Sequence, residues 1–162
     1  MATRNPARRE LVYRDLDEIT QDAELLCRQG YRSVGQWSLA QAAGHVDEWA
    51  RFPMDGFPSP SLPIRVMLWL MKVTFGRKQL QQIIQSGEMK EGLQTLPETV
   101  PVADAKSDQD AANALASTIN RLKTHNGTWH SSPLFGAMDR ETVVQLTLVH
   151  AAHHFSFLIP NE

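Results

Sequence analysis

The stretch that decides the fold is DRETVVQLTLVHAAHHFSFLIP, residues 139–160. Asp139 is of the residue type that caps helix N-termini, and Pro160 cannot continue a helix. The stretch therefore predicts a last helix that runs to about Ile159. Apolar side chains leave this helix in every direction, which is typical of a helix buried on most sides. Polar side chains on such a helix need partners inside the protein.

Three histidines interrupt the apolar helix: His150, His153 and His154. His150 and His154 are four residues apart, so their side chains leave one face about 5–6 Å apart at Cβ. This spacing lets two imidazoles bind one ion at about 2.0–2.1 Å each. His153 is rotated away from that face, and we interpret it as a hydrogen-bonding group beside the site. The pair predicts part of a metal site.

The rest of the chain predicts further helices. Apolar residues recur at helical spacing over residues 15–29, 38–52 and 108–124, and two shorter helices are predicted over residues 64–75 and 77–85 around Gly76. Proline and glycine predict a loop after Phe52, and residues 95–106 read as a connector. No run of strands with turn signals, internal repeat or low-complexity tract is visible. The sequence predicts an all-α fold, a four-helix bundle with extra short helices between its second and third main helices, as one domain over residues 1–162.

A third ligand must come from another helix, and His45 is the candidate. It lies in the predicted second helix beside the apolar stripe, near Trp49 and Phe52 on the helical wheel. We therefore predict one divalent metal ion on His45, His150 and His154. Ordinary hydrogen-bonded histidines stay an alternative, because H-x-x-x-H without the Glu of a zinc protease motif is not diagnostic. Imidazole binds metal only when neutral, so metal affinity is expected to fall below neutral pH.

Composition limits the classes of partner. The chain has 162 residues and a net charge of −2, without a broad basic region for nucleic acid or a polybasic membrane signal. The apolar residues 62–75 are too few to span a bilayer and include two cations. Cys27 is the only cysteine and no signal peptide is visible, which predicts a cytoplasmic protein without an intrachain disulfide. We expect neither nucleic acid nor a membrane as a partner.

Other side chains receive structural interpretations. The basic N-terminus, with Arg4, Arg8 and Arg9, predicts a solvated tail, and Asp47 and Glu48 predict exposed helix carboxylates. We expect Cys27 to be a small buried thiol, and His125 and His130 to be solvated surface histidines. The apolar mid-chain residues Met67, Trp69 and Met71 predict a homodimer, although they could equally cover the core of a monomer.

The segments WSLAQAAGH (residues 37–45), PLFG (133–136) and HAAHHF (150–155) together resemble the DinB superfamily. More narrowly, they resemble one of its branches of unknown function, and the similarity covers nearly the whole chain. The resemblance implies a four-helix bundle of the DinB/YfiT-like type, with metal ligands at His45, His150 and His154. In the related branch a histidine tends to precede the Pro-x-Phe-Gly element, whereas here Ser132 stands at that position. Any role of that histidine near a substrate is lost here or moved, for example to His130.

The resemblance also implies a chemistry. Relatives include thiol-dependent transferases and isomerases that use low-molecular-weight thiols, and nickel and zinc are the metals usually associated with the fold. It thus implies a metal-dependent enzyme whose partners are a small-molecule substrate and a low-molecular-weight thiol. Three neutral ligands leave an open position on the ion, as in catalytic sites. A metal-assisted hydrolase, a non-catalytic metal-binding or stress-response protein, and a metal-free helical interaction module stay as alternatives.

Overall fold

The computed structural model describes residues 8–90, 100, 102 and 106–161, and these are mostly helical. The helices are α1 (Leu16–Gln29), α2 (Leu39–Asp55), α3 (Leu62–Met71), α4 (Arg77–Ser86), α5 (Asp108–Thr124) and α6 (Arg140–Phe155), and a π-helical turn (Lys72–Gly76) joins α3 to α4. Two short antiparallel strands, β1 (Tyr31–Ser33) and β2 (Leu158–Pro160), form a small sheet. No helix in the described part of the chain is both long and apolar enough to cross a membrane. The connector predicted over residues 95–106 lies mostly outside the described residues.

Side-chain caps set where the main helices begin. Asp15, Ser38, Ser107 and Asp139 each accept a hydrogen bond from a backbone N–H in the first turn of the helix that follows. At α2 the bond is reciprocal, because the Gln41 side chain accepts a hydrogen bond from the backbone N–H of Ser38. Such caps satisfy N–H groups that have no partner within the helix. The predicted starts of these four helices are confirmed.

The core lies where α1, α2, α5 and α6 meet. The helix α2 packs against α5 along much of its length and also against α6, while α1 packs against α5 and α6. Several large side chains of this core are almost fully shielded from solvent: Ile19, Leu26, Leu39, Val46, Leu115, Ile119, Leu122, Val143 and Phe155. Each buried side chain of this kind contributes about 1.5–3 kcal/mol relative to an exposed one.

The last helix ends earlier than the sequence predicts. The helix α6 stops at Phe155, and Leu158–Pro160 pair with β1 in the register Ser33↔Leu158 and Tyr31↔Pro160. The carbonyl of Ser156 accepts a hydrogen bond from the backbone N–H of Arg9. Backbone groups that would continue α6 are thus bound by segments far away in the sequence. Long-range backbone pairing ends the helix, and the expectation of a helix to Ile159 is wrong.

The basic residues near the N-terminus bind the end of α6. Arg9 forms an ion pair with Asp22 at 2.8 Å and donates to the last carbonyl of α6 at 3.0 Å. Arg8 lies over the ring of Phe157, with its guanidinium carbon 4.0 Å from the ring centre. Cations interact favourably with the carbonyl end of a helix. The prediction of a solvated tail is wrong for Arg8 and Arg9, while Arg4 lies outside the described residues.

Two residues expected to end helices do not end them. Pro53 lies within α2, which continues to Asp55 before Gly56 closes it with a φ of 103°. Gly76 lies in the continuous helical segment from α3 to α4. A Cβ atom at Gly76 would lie 2.1 Å from the carbonyl oxygen of Leu134, so only glycine permits this close approach.

Two carboxylates of α2 connect it to α5 in different surroundings. Asp47 is 6% exposed, accepts a hydrogen bond from the Thr118 hydroxyl, and lies 3.2 Å from the Nε of Arg51. Asp55 is exposed and pairs with Arg121 at 2.6 Å. The expectation that Asp47 is an exposed carboxylate is therefore wrong, and this side chain belongs to the α2–α5 interface.

Replacing these two carboxylates should have unequal effects on stability. Asp47→Ala should lower the free energy of unfolding by about 1–3 kcal/mol, because it leaves the buried Thr118 hydroxyl without its acceptor. Asp55→Ala should cost less than about 1 kcal/mol, as expected for a solvent-exposed ion pair. Urea unfolding at neutral pH measures both. Equal losses in the two variants would contradict the assignment of Asp47 to a buried hydrogen bond.

Candidate metal centre

Three histidines from two helices converge on one point. His45 projects from α2, and His150 and His154 project from α6. Their ligand nitrogens all lie within 4.8 Å of one another, and the Nε2 atoms of His150 and His154 are 3.1 Å apart. The structure thus brings together the three residues that the sequence singles out.

The spacing of the α6 pair fits a shared metal ion. Two nitrogens about 2.0–2.1 Å from one ion subtend an angle of about 100° when they are 3.1 Å apart. That angle lies between the octahedral and the tetrahedral values. Imidazole is a ligand that suits zinc, nickel, copper and iron. The α6 pair therefore suits a divalent transition metal, and His45, whose ligand nitrogen lies within 4.8 Å of both, is the candidate third ligand.

Two tryptophans cover the imidazoles. The ring of Trp37 stacks on His154, with centroids 4.9 Å apart and planes inclined by 15°, and lies 5.0 Å from His45. The ring of Trp49 lies 6.1 Å from His45 and 6.2 Å from His150. These contacts restrict the orientation of the imidazoles and shield them from water. No periodic pattern in the sequence assigns Trp37 to the site; its position just before the capping residue Ser38 is the available signal.

Trp49 also brings an unsatisfied polar atom to the cluster. Its indole N–H is buried, and no atom of the described residues accepts a hydrogen bond from it. A buried donor without an acceptor costs about 1–3 kcal/mol, so such a group calls for a partner from a ligand, ion or water. The ring of Trp49 contacts those of His45 and His150. The unsatisfied donor thus belongs to a ring that packs against two of the three histidines.

Burial keeps the α6 histidines in the form that binds metal. It is the main cause that places the pKa of His150 well below its ordinary value, and repulsion from His45 and His153 adds to it. The pKa of His154 is lowered mainly by burial and next by His150. Both imidazoles therefore remain neutral below about pH 6.5. The expected fall of metal affinity moves to lower pH, since protons compete less with the ion in the folded site.

Access to the cluster differs among its members. His45 is 2% exposed, whereas His150 and His154 are only partly buried. A separate groove of about 490 Å³ lies between α3 and the loop at Pro58–Pro60, and none of the three histidines lines it. A molecule that reaches the cluster must therefore approach along the partly exposed edges of the α6 pair.

The neighbouring histidines lie outside the cluster. The ring of His153 contacts His154 at 4.9 Å and Phe157 at 5.8 Å, so it is a neighbour of the candidate ligands. His130 is exposed, as predicted. His125 is half-buried against Trp129, with ring centroids 4.5 Å apart, and is therefore less solvated than predicted.

Ser132 has a local structural role. It is 2% exposed, and its hydroxyl accepts hydrogen bonds from the backbone N–H groups of Leu134 and Phe135. Its backbone also pairs with Gly136 in both directions. At the position where the resemblance implies a histidine, this chain thus has a side chain that holds the Pro-Leu-Phe-Gly turn.

Comparison with known proteins identifies a family. The family model described as "Protein of unknown function (DUF1569)" matches residues 5–161. No curated protein and no solved structure matches the chain. Because the family model spans nearly the whole sequence, the chain belongs to the DUF1569 family.

Proposed function

We propose that this protein is a metal-dependent enzyme in which His45, His150 and His154 hold one divalent ion, nickel or zinc. The observation that carries the proposal is the convergence of three imidazoles, two of them with nitrogens 3.1 Å apart. Three protein ligands leave a position for substrate, which is typical of catalytic sites, whereas a structural site is closed by four. The group found among the described residues has three members.

We further propose that the chain is a DinB-like four-helix bundle formed as one domain. The packing of α1, α2, α5 and α6 around a common core supports this architecture. The position of His45 on α2 and of the histidine pair on α6 matches what the resemblance implies. The segment from α3 to α4 is then an insertion between the second and third bundle helices.

Thiol-dependent transfer or isomerisation is the reaction class that we propose, with a small-molecule substrate and a low-molecular-weight thiol as partners. A divalent ion on neutral ligands stabilises a bound thiolate. The chain supplies the rest of the site: Trp37 and Trp49 exclude water from the imidazoles, and the Trp49 indole N–H donates to an acceptor atom of the substrate. Metal-assisted hydrolysis is the alternative reaction on the same three ligands.

Two non-catalytic functions remain to be separated from this proposal by experiment. The distance of 3.1 Å between His150 and His154 also fits a direct hydrogen bond between two neutral imidazoles, which favours a metal-free helical module. A metal-binding or stress-response protein would bind the ion without turnover. A metal-free module would contain no bound metal, which distinguishes it from the proposed enzyme. A non-catalytic metal-binding protein would contain metal but show no turnover.

Removal of one ligand should reduce metal content strongly. His45→Ala, His150→Ala and His154→Ala should each weaken zinc or nickel binding by more than the roughly 10–100-fold typical of losing a hydrogen-bonding neighbour of a ligand. His153→Ala is the matched control on the same helix and should lower metal binding much less, because its ring lies beside the cluster and is not one of the three candidate ligands. Elemental analysis of protein purified without a histidine tag measures occupancy. Loss of metal in His153→Ala but not in His154→Ala would show that the ligands are wrongly assigned.

The metal-free protein should lose stability as the pH falls from about 7.5 to about 5.5. The pKa values of His150 and His154 are lowered in the folded state, while imidazole in the unfolded chain titrates near pH 6.5. Below that pH the unfolded chain binds more protons, so the free energy of unfolding falls by up to about 1.4 kcal/mol per pH unit for each imidazole. The contribution of the two neutral imidazoles to stability is complete only about one pH unit above the pKa of the unfolded chain, near pH 7.5.

Urea unfolding of chelator-treated protein across this pH range measures the slope. The double variant His150→Gln/His154→Gln should show a shallower slope, and an unchanged slope would contradict burial of neutral imidazoles. Loading with zinc should raise the melting temperature at neutral pH by binding the folded state. Because the folded imidazoles stay neutral, this gain should persist at about pH 5.5.

The proposed reaction class is tested by screening metal-loaded protein with low-molecular-weight thiols and electrophilic substrates. We expect turnover that is lost on chelation and in His154→Ala. Trp49→Phe removes the unsatisfied indole N–H but keeps an aromatic ring, so it should lower kcat/KM without loss of metal. Stoichiometric metal without turnover of thiol or hydrolytic substrates would instead support the non-catalytic metal-binding protein.

A further inference from the structure

Most of the large apolar side chains that the structure exposes lie on one helical segment. They belong to α3 and the π-helical turn, each is at least 45% exposed, and together we call them the α3 face: Leu62, Val66, Met67, Trp69, Leu70, Val73 and Phe75. An apolar cluster on this scale marks an interaction site more often than an ordinary surface. It lies apart from the histidine cluster and has no part in the proposed function.

The core does not need the α3 face. In α3 only Leu68 is buried, while Ile64 and Met71 are half-buried on the same side of the helix. Most of the exposed residues, among them Val66, Trp69 and Val73, occupy the opposite side, where a surface helix of a globular protein normally carries polar residues. Packing within the described residues therefore leaves the α3 face without a covering element.

The charged residues of the segment that contains the α3 face all have one sign. Residues 56–87 include Arg65, Lys72, Arg77 and Lys78 and no aspartate or glutamate, although the whole chain has a net charge of −2. Arg65 and Lys72 lie at the border of the apolar side chains, whereas Arg77 and Lys78 follow the face along the chain at the start of α4. The segment therefore attracts anionic surfaces.

A groove runs beside the same cations. It has a volume of about 490 Å³ and lies between α3 and the proline loop at Pro58–Pro60. Arg65 and Lys72 line it together with Leu62, Val66 and Trp69. Cationic and apolar walls side by side fit an amphiphile that has an anionic head and a hydrocarbon tail.

We propose that the α3 face binds the surface of an anionic phospholipid membrane. Helices that lie in a membrane interface combine tryptophan, leucine and phenylalanine with bordering lysine and arginine, and anionic lipids attract these cations. The ten residues of α3 extend about 15 Å, so the helix lies on the bilayer and does not cross it. The expectation of no membrane partner relied on the length of the apolar stretch and on overall charge, and neither concerns a local face of this kind.

A second copy of the chain is the competing occupant, as the predicted homodimer would use Met67 and Trp69. Two-fold pairing through the α3 face would bring the cations of both copies together, and the segment offers no acidic residue to pair with them. Phospholipid head groups supply the missing negative charge. The charge pattern therefore favours the membrane.

Co-sedimentation of the full chain with lipid vesicles tests this proposal. We expect binding to vesicles that contain phosphatidylglycerol, at least about tenfold weaker binding to pure phosphatidylcholine, and weakening with added salt. Trp69→Ser/Leu70→Ser should reduce binding to the anionic vesicles at least about tenfold, and Arg65→Gln/Lys72→Gln should remove the preference for them. All four side chains are at least partly exposed, so the variants should keep the circular dichroism spectrum of the wild type.

Matched controls come from outside the α3 face. Val12→Ser removes an apolar side chain that is 79% exposed, and Arg32→Gln removes an exposed cation, so both should bind as the wild type does. Failure to bind anionic vesicles, or equal binding to neutral ones, would overturn the proposal. A second result would also overturn it. If the wild type is a dimer in ultracentrifugation and binds no vesicles, and Trp69→Ser/Leu70→Ser is a monomer, the α3 face binds a second copy of the chain.

Discussion

The burial of one half of α6 in the core, together with the partial burial of the histidines beside it, is the constraint on which the rest of the structure depends. Neutral imidazoles tolerate burial far better than charged ones, and the lowered pKa values of His150 and His154 express this. A buried neutral imidazole still needs a partner for its nitrogens. For His45, His150 and His154, that partner is either a neighbouring imidazole of the cluster or an ion that all three bind. The core thus shapes the site and holds its ligands in the chemically competent form.

The position of the histidine pair depends on contacts at the end of α6. Arg8 donates to the carbonyl of His153, and Arg9 donates to that of Phe155 and is itself held by Asp22. The strand β2 follows immediately and pairs with β1, which directly precedes the segment containing Trp37. The N-terminal residues, the small sheet and α6 therefore fix one end of the bundle. The stacking of Trp37 on His154 relies on that arrangement.

Local sequence patterns correctly predicted the helices and caps that depend on neighbouring residues. They failed for features that depend on contacts between distant segments. The helix over residues 108–124 and the caps at Ser38 and Asp139 follow from spacing and capping chemistry, and the structure has them. The histidine pair followed from one helical face and His45 from its position beside the apolar stripe of the second helix, and the resemblance implied the same three residues. By contrast, the strand β2, the buried position of Asp47 and the binding of Arg9 to α6 arise from contacts far apart in the chain. No periodicity in the sequence encodes those contacts.

The charge of the histidine cluster limits the kinds of ligand that the proposed enzyme would bind. Three neutral ligands leave the full charge of a divalent ion uncompensated, and Trp49 adds a buried hydrogen-bond donor. The carboxylate nearest in sequence to His45 is Asp47, but it is bound to Thr118 and Arg51 in the α2–α5 interface. Positive charge in a poorly hydrated site is stabilised by an anionic ligand, since little water is present to screen it. A thiolate meets this requirement, and so does any substrate that develops negative charge next to the ion. If an ion is bound as proposed, we expect the site to select a ligand by its negative charge before its shape.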